Sequence, residues 1–450
     1  MIMISGHQKS EIPIVLVLFL TIITLLTSLI IHLPETPTPV GLEGIKYSDI
    51  VYGVFLDIFS PENIGKPNEV GRRWYNQTLY ILLVNGDVRY CPLPYIHYFL
   101  EYPPLVALIM LFSTCVSFSA VLPHKYNYLI YSELISRVAQ YHLIMNTIVI
   151  SVFALLMVIY LARLMRNLRL KYKAYRLIIL PILPSFILYS IYNWDVIASS
   201  LYVMSLYYLC ERRYLLSALL LSFSVLTKLL PLPFLMVITV LAFKYDILTQ
   251  LRRNLMKFLT VFSLPIFLSV IPILIISPIT ILDFFSYHGG WYCENCIYQV
   301  FIRDINSPMH RLTSLTLILV LLILLCLKAR IVSFEDIAKL ALIVAITVTT
   351  LNYVFTPQMI LLIAPLAVIL LDRTKLALYI ASDIANSLIM LFFFMDVEIR
   401  RALNTYLDLN LPVNFNPWSI DSPVQWLAIT RNIILLIILM SLILTIIKKG

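Results

Sequence analysis

Charge is the first thing this sequence lacks. Of its 450 residues only 13% are Asp, Glu, Lys or Arg, where a soluble domain carries about 25%. A chain so poor in charge cannot clothe a water-exposed surface, which excludes an ordinary soluble globular protein. Glycine is scarce as well, 10 residues against 24 prolines. The prolines gather near the ends of apolar runs and inside a few of them, a pattern that predicts broken helices. The chain has no short-period repeat and no low-complexity segment. Nor does a small-residue cleavage site precede the Pro-rich exit of the first apolar run, Ile12 to Leu33. That run is expected to be a retained first span and not a cleaved signal peptide.

What is there is apolar. Hydrophobic residues make up 61% of the chain and the mean hydropathy is +0.92. Apolar runs near or above about 18 residues recur along it, and such runs span membranes as helices. Backbone polar groups must pair internally in lipid. The expected fold is therefore all-α: a polytopic bundle of about 12 spans, one integral membrane domain over residues 1–450, with a long structured first outer loop at 33–101. The net charge of +9 reports cytoplasmic loops and implies no nucleic-acid partner.

Basic clusters give the topology. Arg163, Arg166, Arg169, Lys171, Lys173 and Arg176 crowd one loop; Arg212 and Arg213 mark the next; Lys244, Arg252, Arg253 and Lys257 a third. Lys328 with Arg330, Arg373 with Lys375, and Lys448 with Lys449 complete the set. Placed in the cytoplasm, they leave 33–101, 193–195, 282–311, 356–358 and 396–426 outside. From Asp195 onward the alternation works at each step. Before it, either 102–122 crosses only partly or the amphipathic stretch 123–142 adds a crossing. The Ile- and Tyr-rich composition points to the plasma membrane of a prokaryote or archaeon.

Ionisable groups at membrane depth tend to be functional or paired, and the outward-facing ones form a candidate site. They are Asp49, Glu101, Asp195, Lys228, His288, Glu294, Arg303 and Arg311, with the aromatic Tyr102 and the turn residue Gln358 beside them. Each acid also has a plainer reading. Asp49 lies in YSDIVYGVFLDIF, which can form an amphipathic helix lying on the membrane. Asp195 can cap the helix that begins there, and Glu101 can be a negative residue at a helix start. Lys228, in TKLLPLP, is harder to dismiss. Cys293 and Cys296 form one CxxC, short of the four ligands of a structural zinc site; a local disulfide, or one to Cys91, is the stronger expectation outside the cytoplasm. Cys115, Cys210 and Cys326 are expected to be packing residues, and Asn76-Gln77-Thr78 is a sequon.

The order of motifs is distinctive: Asp49 soon after the first span, Tyr102-Pro103-Pro104-Leu105 opening the next segment, NWDVIASS with Asp195, TKLLPLP with Lys228, the outer loop YHGGWYCENC, and FTPQMILL with Gln358. It resembles the GT-C class of integral membrane glycosyltransferases, especially polyprenyl-phosphomannose-dependent mannosyltransferases. One departure stands out. Many of that class carry Asp-x-Asp in the first loop, and here the stretch is Asp49-Ile50-Val51.

The resemblance implies inverting transfer of a hexose, mannose first, from a polyprenyl-phosphate sugar to a lipid or glycan acceptor hydroxyl at the outer face. Asp49 would be the base. Glu101 and Asp195 would position it or the sugar. Lys228, His288, Arg303 and Arg311 would meet the departing phosphate. A monophosphate leaving group requires no cofactor; a divalent metal is compatible but not indicated. Two rivals stay open. A secondary transporter or lipid flippase would carry matched broken helices in two halves, and only the break at Lys228 to Pro233 is clear. The other rival is a non-catalytic subunit of a glycosylation complex.

Overall fold

The computed structural model describes residues 14–38, 42–63, 73–87 and 91–448, without the side chains of 171–174. Ile12, Lys449 and parts of the first outer loop (39–41, 64–72 and 88–90) lie outside the described residues.

The described chain is helical and contains no strand. Helix α1 (Ile14–His32) leads into the long loop 33–101, whose described residues hold only short helices. Then follow α2 (Pro104–Val121), α3 (Tyr128–Asn167), α4 (Asp195–Cys210), α5 (Tyr214–Thr227), α6 (Leu232–Lys244), α7 (Leu255–Ile276), α8 (Pro278–Gly290), α9 (Met309–Lys328), α10 (Phe334–Thr350), α11 (Arg373–Phe394), α12 (Asp396–Leu407) and α13 (Pro423–Ile447). Local chemistry sets their starts. Asn127 accepts the Ile130 amide at 3.0 Å to begin α3, and Ser333 and Asp336 form a reciprocal box at α10. Proline opens α2, α8 and α13, where its missing N–H is no loss.

Seven of these helices, α1, α2, α3, α7, α9, α11 and α13, are long and apolar enough to cross a membrane. An eighth candidate is α6 with Asp246–Arg253, a pair bent by 112°. The chain is thus a membrane protein. Nearly every residue of α4 and α10 is buried, so these form the centre. In α7 only Phe258 and Phe262 are buried, which puts it at the lipid edge. Serines stitch the centre together. Ser199 donates to Leu361 O at 2.8 Å, Ser224 to Ala198 O at 2.7 Å and Ser205 to Ser217 O at 2.8 Å. In lipid, where apolar burial no longer drives helix association, such bonds average about 0.6 kcal/mol each and steer packing.

The bundle has two chemically distinct ends. At one, the basic turns touch: Asn167 meets Glu211, Arg176 donates to Leu371 O, Lys244 to Leu327 O, and the Arg330 amide to Ile446 O. At the other, the first outer loop meets the turns at 190–195, 228–231, 291–296 and 351–358 around one cavity.

The stretch after the first outer loop is a helical hairpin. Phe118 of α2 stacks on Tyr131 of α3, and Thr114 approaches His142. The 40 residues of α3 extend about 60 Å, and Asn146 near its middle accepts from Trp194 Nε1 at 2.9 Å. Its first half therefore stands beyond the level of the 193–195 turn, packed along α2.

Two expectations are corrected. YSDIVYGVFLDIF does not lie on the membrane. It winds as a wide-turned helix (Asp49–Phe55) and a short α-helix (Leu56–Phe59) with Ile50, Val51, Val54, Phe55, Ile58 and Phe59 buried. Tyr131 of α3 donates to Phe59 O at 2.6 Å, and His142 stacks on Phe55, so this apolar face is spent on α3 and not on lipid. Cys115 is no mere packing residue, because it is joined to Cys91 by a disulfide. Cys293 and Cys296 are joined locally, while Cys210 and Cys326 are free thiols. Asn76 of the sequon caps a short helix through the Leu79 amide.

Beyond α11, residues 396–422 fold around a buried ion pair. Arg400 Nε donates to Asp396 Oδ1 at 3.0 Å, and both side chains are at most 1% exposed. Arg400 also donates to Pro412 O and Asn416 O, and Asp396 accepts from Ser422 Oγ and the Asn416 amide. Removing one partner of such a pair costs about 3–5 kcal/mol. Asp396→Ala is expected to lower the melting temperature in detergent markedly, with proteolysis appearing first within 396–422. An unchanged melting curve would contradict this account of the segment.

Candidate active site

Asp49 reaches its position through a break in ordinary helical winding. Ser48 is extended, and its Oγ accepts the Val51 amide at 3.3 Å. The wide turn that follows leaves room for Gly53, where an added Cβ would stand 3.3 Å from Asp49 Oδ1 and 3.0 Å from the Tyr47 hydroxyl. Three side chains from three different segments then donate to a single oxygen. Asn193 Nδ2 lies 2.7 Å from Asp49 Oδ2, Tyr102 Oη 3.2 Å and Gln358 Nε2 3.2 Å. Asn193 also donates to the Tyr102 hydroxyl at 2.9 Å. Oδ1 makes no hydrogen bond among the described residues.

Exclusion of water pushes the Asp49 carboxyl up to about 6. The Tyr102 hydrogen bond, the Lys228 charge and Asn193 pull it down, and the Asp195 charge adds to the rise. Burial first, then the charges of Asp49 and Glu101, hold the Tyr102 phenol well above its usual range, so it remains a donor.

Beside this carboxylate runs an ion pair. Lys228 Nζ lies 2.5 Å from Asp195 Oδ1. Asp195 opens α4 but does not cap it: the cap position is Trp194, and no side chain caps that end. Its buried carboxylate faces Lys228 instead, and its Oδ2 has no hydrogen-bond partner among the described residues. Lys228 is extended, at the break between α5 and α6, which frees its side chain from either helix.

These groups line one cavity of about 1180 Å³, above the roughly 300–1,000 Å³ usual for small-ligand sites. Asp49, Glu101, Tyr102, Asp195, Lys228, His288, Glu294, Arg311 and Gln358 all contribute to its wall. Glu294 accepts from Trp291 Nε1 at 2.8 Å, and its backbone pairs with Tyr353 and Phe355. Arg311 donates to the carbonyls of Trp291 and Gly290. His288 is exposed at the rim and bonds Phe284 O through Nδ1. Arg303 is a correction. The turn after the Cys293–Cys296 loop carries it to the exposed surface, off the cavity wall.

Sequence reasoning missed several contributors. Asn193 stood in a recognised turn but was not singled out. Arg73, on the cavity wall beside Glu101, is ion-paired with Asp57, and no motif marks it. Arg431 is the one basic residue within the apolar helix α13, a signal that was legible. Cys293, Cys296 and His310 stand close enough together to suggest a metal, but the two sulfurs are spent in the disulfide.

No protein-family model, no curated protein and no solved structure matches this chain.

The shifted carboxyl has a stability consequence. A carboxyl that titrates near 6 folded and near 3.9 unfolded binds its proton more tightly in the folded state. The ionised form therefore costs stability above pH 6, and that cost disappears as pH falls toward 4. Asp49→Asn is expected to melt higher than wild type at pH 8, with the gap closing toward pH 4. A gap that widens on acidification would contradict the assigned shift.

Proposed function

We propose that this chain is an inverting membrane glycosyltransferase. It moves a hexose, mannose in the first instance, from a polyprenyl-phosphate sugar to an acceptor hydroxyl at the outer membrane face. The observation that carries the reading is the Asp49 carboxylate, held through Oδ2 by Tyr102, Asn193 and Gln358 in a cavity that also presents Lys228 and Arg311. Supporting it, the motif residues that resemble the GT-C class come from distant parts of the chain and converge on this cavity, and Leu229, Leu230, Leu315 and Ile318 give one wall an apolar character suited to a lipid tail.

In the proposed step the acceptor O–H donates its proton to Asp49 as its oxygen attacks the sugar's anomeric carbon. The bond from that carbon to the phosphate oxygen breaks on the opposite side, and the lipid phosphate leaves with the electron pair. Lys228 and Arg311 stabilise the departing charge. Asp195 keeps Lys228 extended into the cavity. The base must be ionised, so the rate falls as pH drops through about 6.

The topology that fits this reading has about 12 passes. In this reading the long apolar helices other than α2 each make one pass, and residues 179–189, α4, α5, α6, α10 and 357–370 make one each. In this arrangement α2 and the outer half of α3 stand on the outer side as a hairpin, and the downward pass begins near Asn146.

Membranes carrying wild type or Asp49→Ala at matched expression, supplied with radiolabelled polyprenyl-phosphomannose, test the proposal. Wild type is expected to transfer label and Asp49→Ala to lose at least about 100-fold, the lower range for a positioned base. Gly53→Ala, which crowds Asp49 Oδ1, is expected to retain the fold and lose about tenfold, one 1.4 kcal/mol step. Equal transfer by wild type and Asp49→Ala would remove Asp49 from the chemistry. Label accumulating unchanged across the membrane would favour a transporter.

A further inference from the structure

Arg431 is fully buried near the outer end of α13, the one basic group in that apolar helix. A cation there is expensive unless strongly compensated, yet no carboxylate forms a salt bridge with it among the described residues. Its direct partners are dipoles, with the Glu294 charge acting from farther off. Nε donates to Asn432 Oδ1 at 3.0 Å and Nη1 to Asn386 Oδ1 at 2.8 Å. Nη2 donates to two carbonyls, Asn295 O at 3.1 Å and Phe355 O at 3.0 Å. The guanidinium carbon sits 3.5 Å from the centroid of the Phe355 ring.

Each of those partners leads to the cavity wall. Asn295 follows Glu294, and the Phe355 amide donates to Glu294 O at 2.9 Å. Asn386 passes the connection on: its Nδ2 donates to Pro357 O at 2.8 Å, one residue before Gln358, which donates to Asp49 Oδ2. Neither the outer loop nor the Pro-Gln turn is held here by a strand or a long helix. A planar fork with several fixed donors can tie both segments to one helix, and a lysine's compact ammonium cannot.

We propose that Arg431 is a positioning residue. It sets Glu294 and, through Asn386, Gln358 in register with Asp49. The inference rests on the transferase reading for its catalytic meaning, while the positioning itself is physical and separately measurable.

The test uses the full chain in nanodiscs: wild type, Arg431→Met, Arg431→Lys and Asn386→Ala. Hydrogen exchange read by mass spectrometry is the first readout. Arg431→Met is expected to speed exchange by about tenfold in the segments 292–297 and 353–359, with the far end of the bundle unchanged. Arg431→Lys should give a partial effect, and Asn386→Ala an effect confined to 353–359.

The second readout is the acid limb of the transfer rate. Loss of a donor to the ionised carboxylate raises its titration point. Arg431→Met and Gln358→Leu should each move the limb upward, and the double variant should move it no further. Exchange that rises everywhere, or in neither segment, overturns the proposal, as do additive shifts of the limb. If Arg431→Met does not fold, the Arg431→Lys and Asn386→Ala patterns decide. A wild type that transfers no sugar removes the transferase reading, and exchange alone then decides the role of Arg431.

Discussion

One carboxylate oxygen organises the cavity end of this protein. Asp49 Oδ2 receives hydrogen bonds from Tyr102 at the start of a helical hairpin, Asn193 in a turn between helices, and Gln358 in a late turn. These segments are far apart in sequence and share no sheet or common helix. Their meeting point is a half-buried acid whose charge is partly cut off from water, so it needs those donors. The three donors offset part of the cost of that partly desolvated anion and tie the 33–101 loop to the bundle. The same arrangement leaves Oδ1 without a hydrogen bond among the described residues, at the edge of a cavity large enough for a ligand.

The remainder of the architecture follows from the solvent. In lipid, apolar contact alone does not choose one helix packing over another, because the tails are as apolar as leucine. Specificity therefore comes from the sparse polar groups. Serine hydroxyls reach across α4 and α5 to neighbouring carbonyls. Asp383 of α11 accepts the Ser185 amide at 3.0 Å, at the start of a short helix opened by Pro184. Arg431 gathers Asn295, Phe355 and Asn386. Each of these buried polar side chains joins elements that periodicity does not relate, while others, such as Thr147 and Thr347, bond only within their own helix.

Much of the scaffold was legible in the sequence. Long apolar runs and the basic turns between them predicted a helical membrane protein with two unlike ends, because lipid forces the backbone to pair within each helix and charge marks the turns. Residues at helix breaks, such as Lys228 before its proline-rich stretch and Gln358 after Pro357, stood out because a break exposes polar groups that must be answered. Other features were hidden. Hydropathy alone does not show that the helix at Pro104–Val121 packs along the first half of α3. The Asp49 segment has the pattern of a surface helix, and only burial against α3 turns it inward. Arg303 shares a loop with Arg311, but the turn after the Cys293–Cys296 disulfide separates them, and spacing carries no record of such a turn. Asn193 is short and neutral, so composition draws no attention to it, although it makes the shortest of the three bonds to Asp49.

The most direct test of the central claim asks whether the Asp49 cavity opens outward and holds a lipid-linked sugar. Asp49→Cys, displayed in right-side-out membranes, would be treated with a membrane-impermeant maleimide, with and without polyprenyl-phosphomannose. The account predicts labelling from the outside that the lipid-linked sugar slows and free mannose does not. Labelling only from the cytoplasmic side, or labelling indifferent to the lipid-linked sugar, would contradict it.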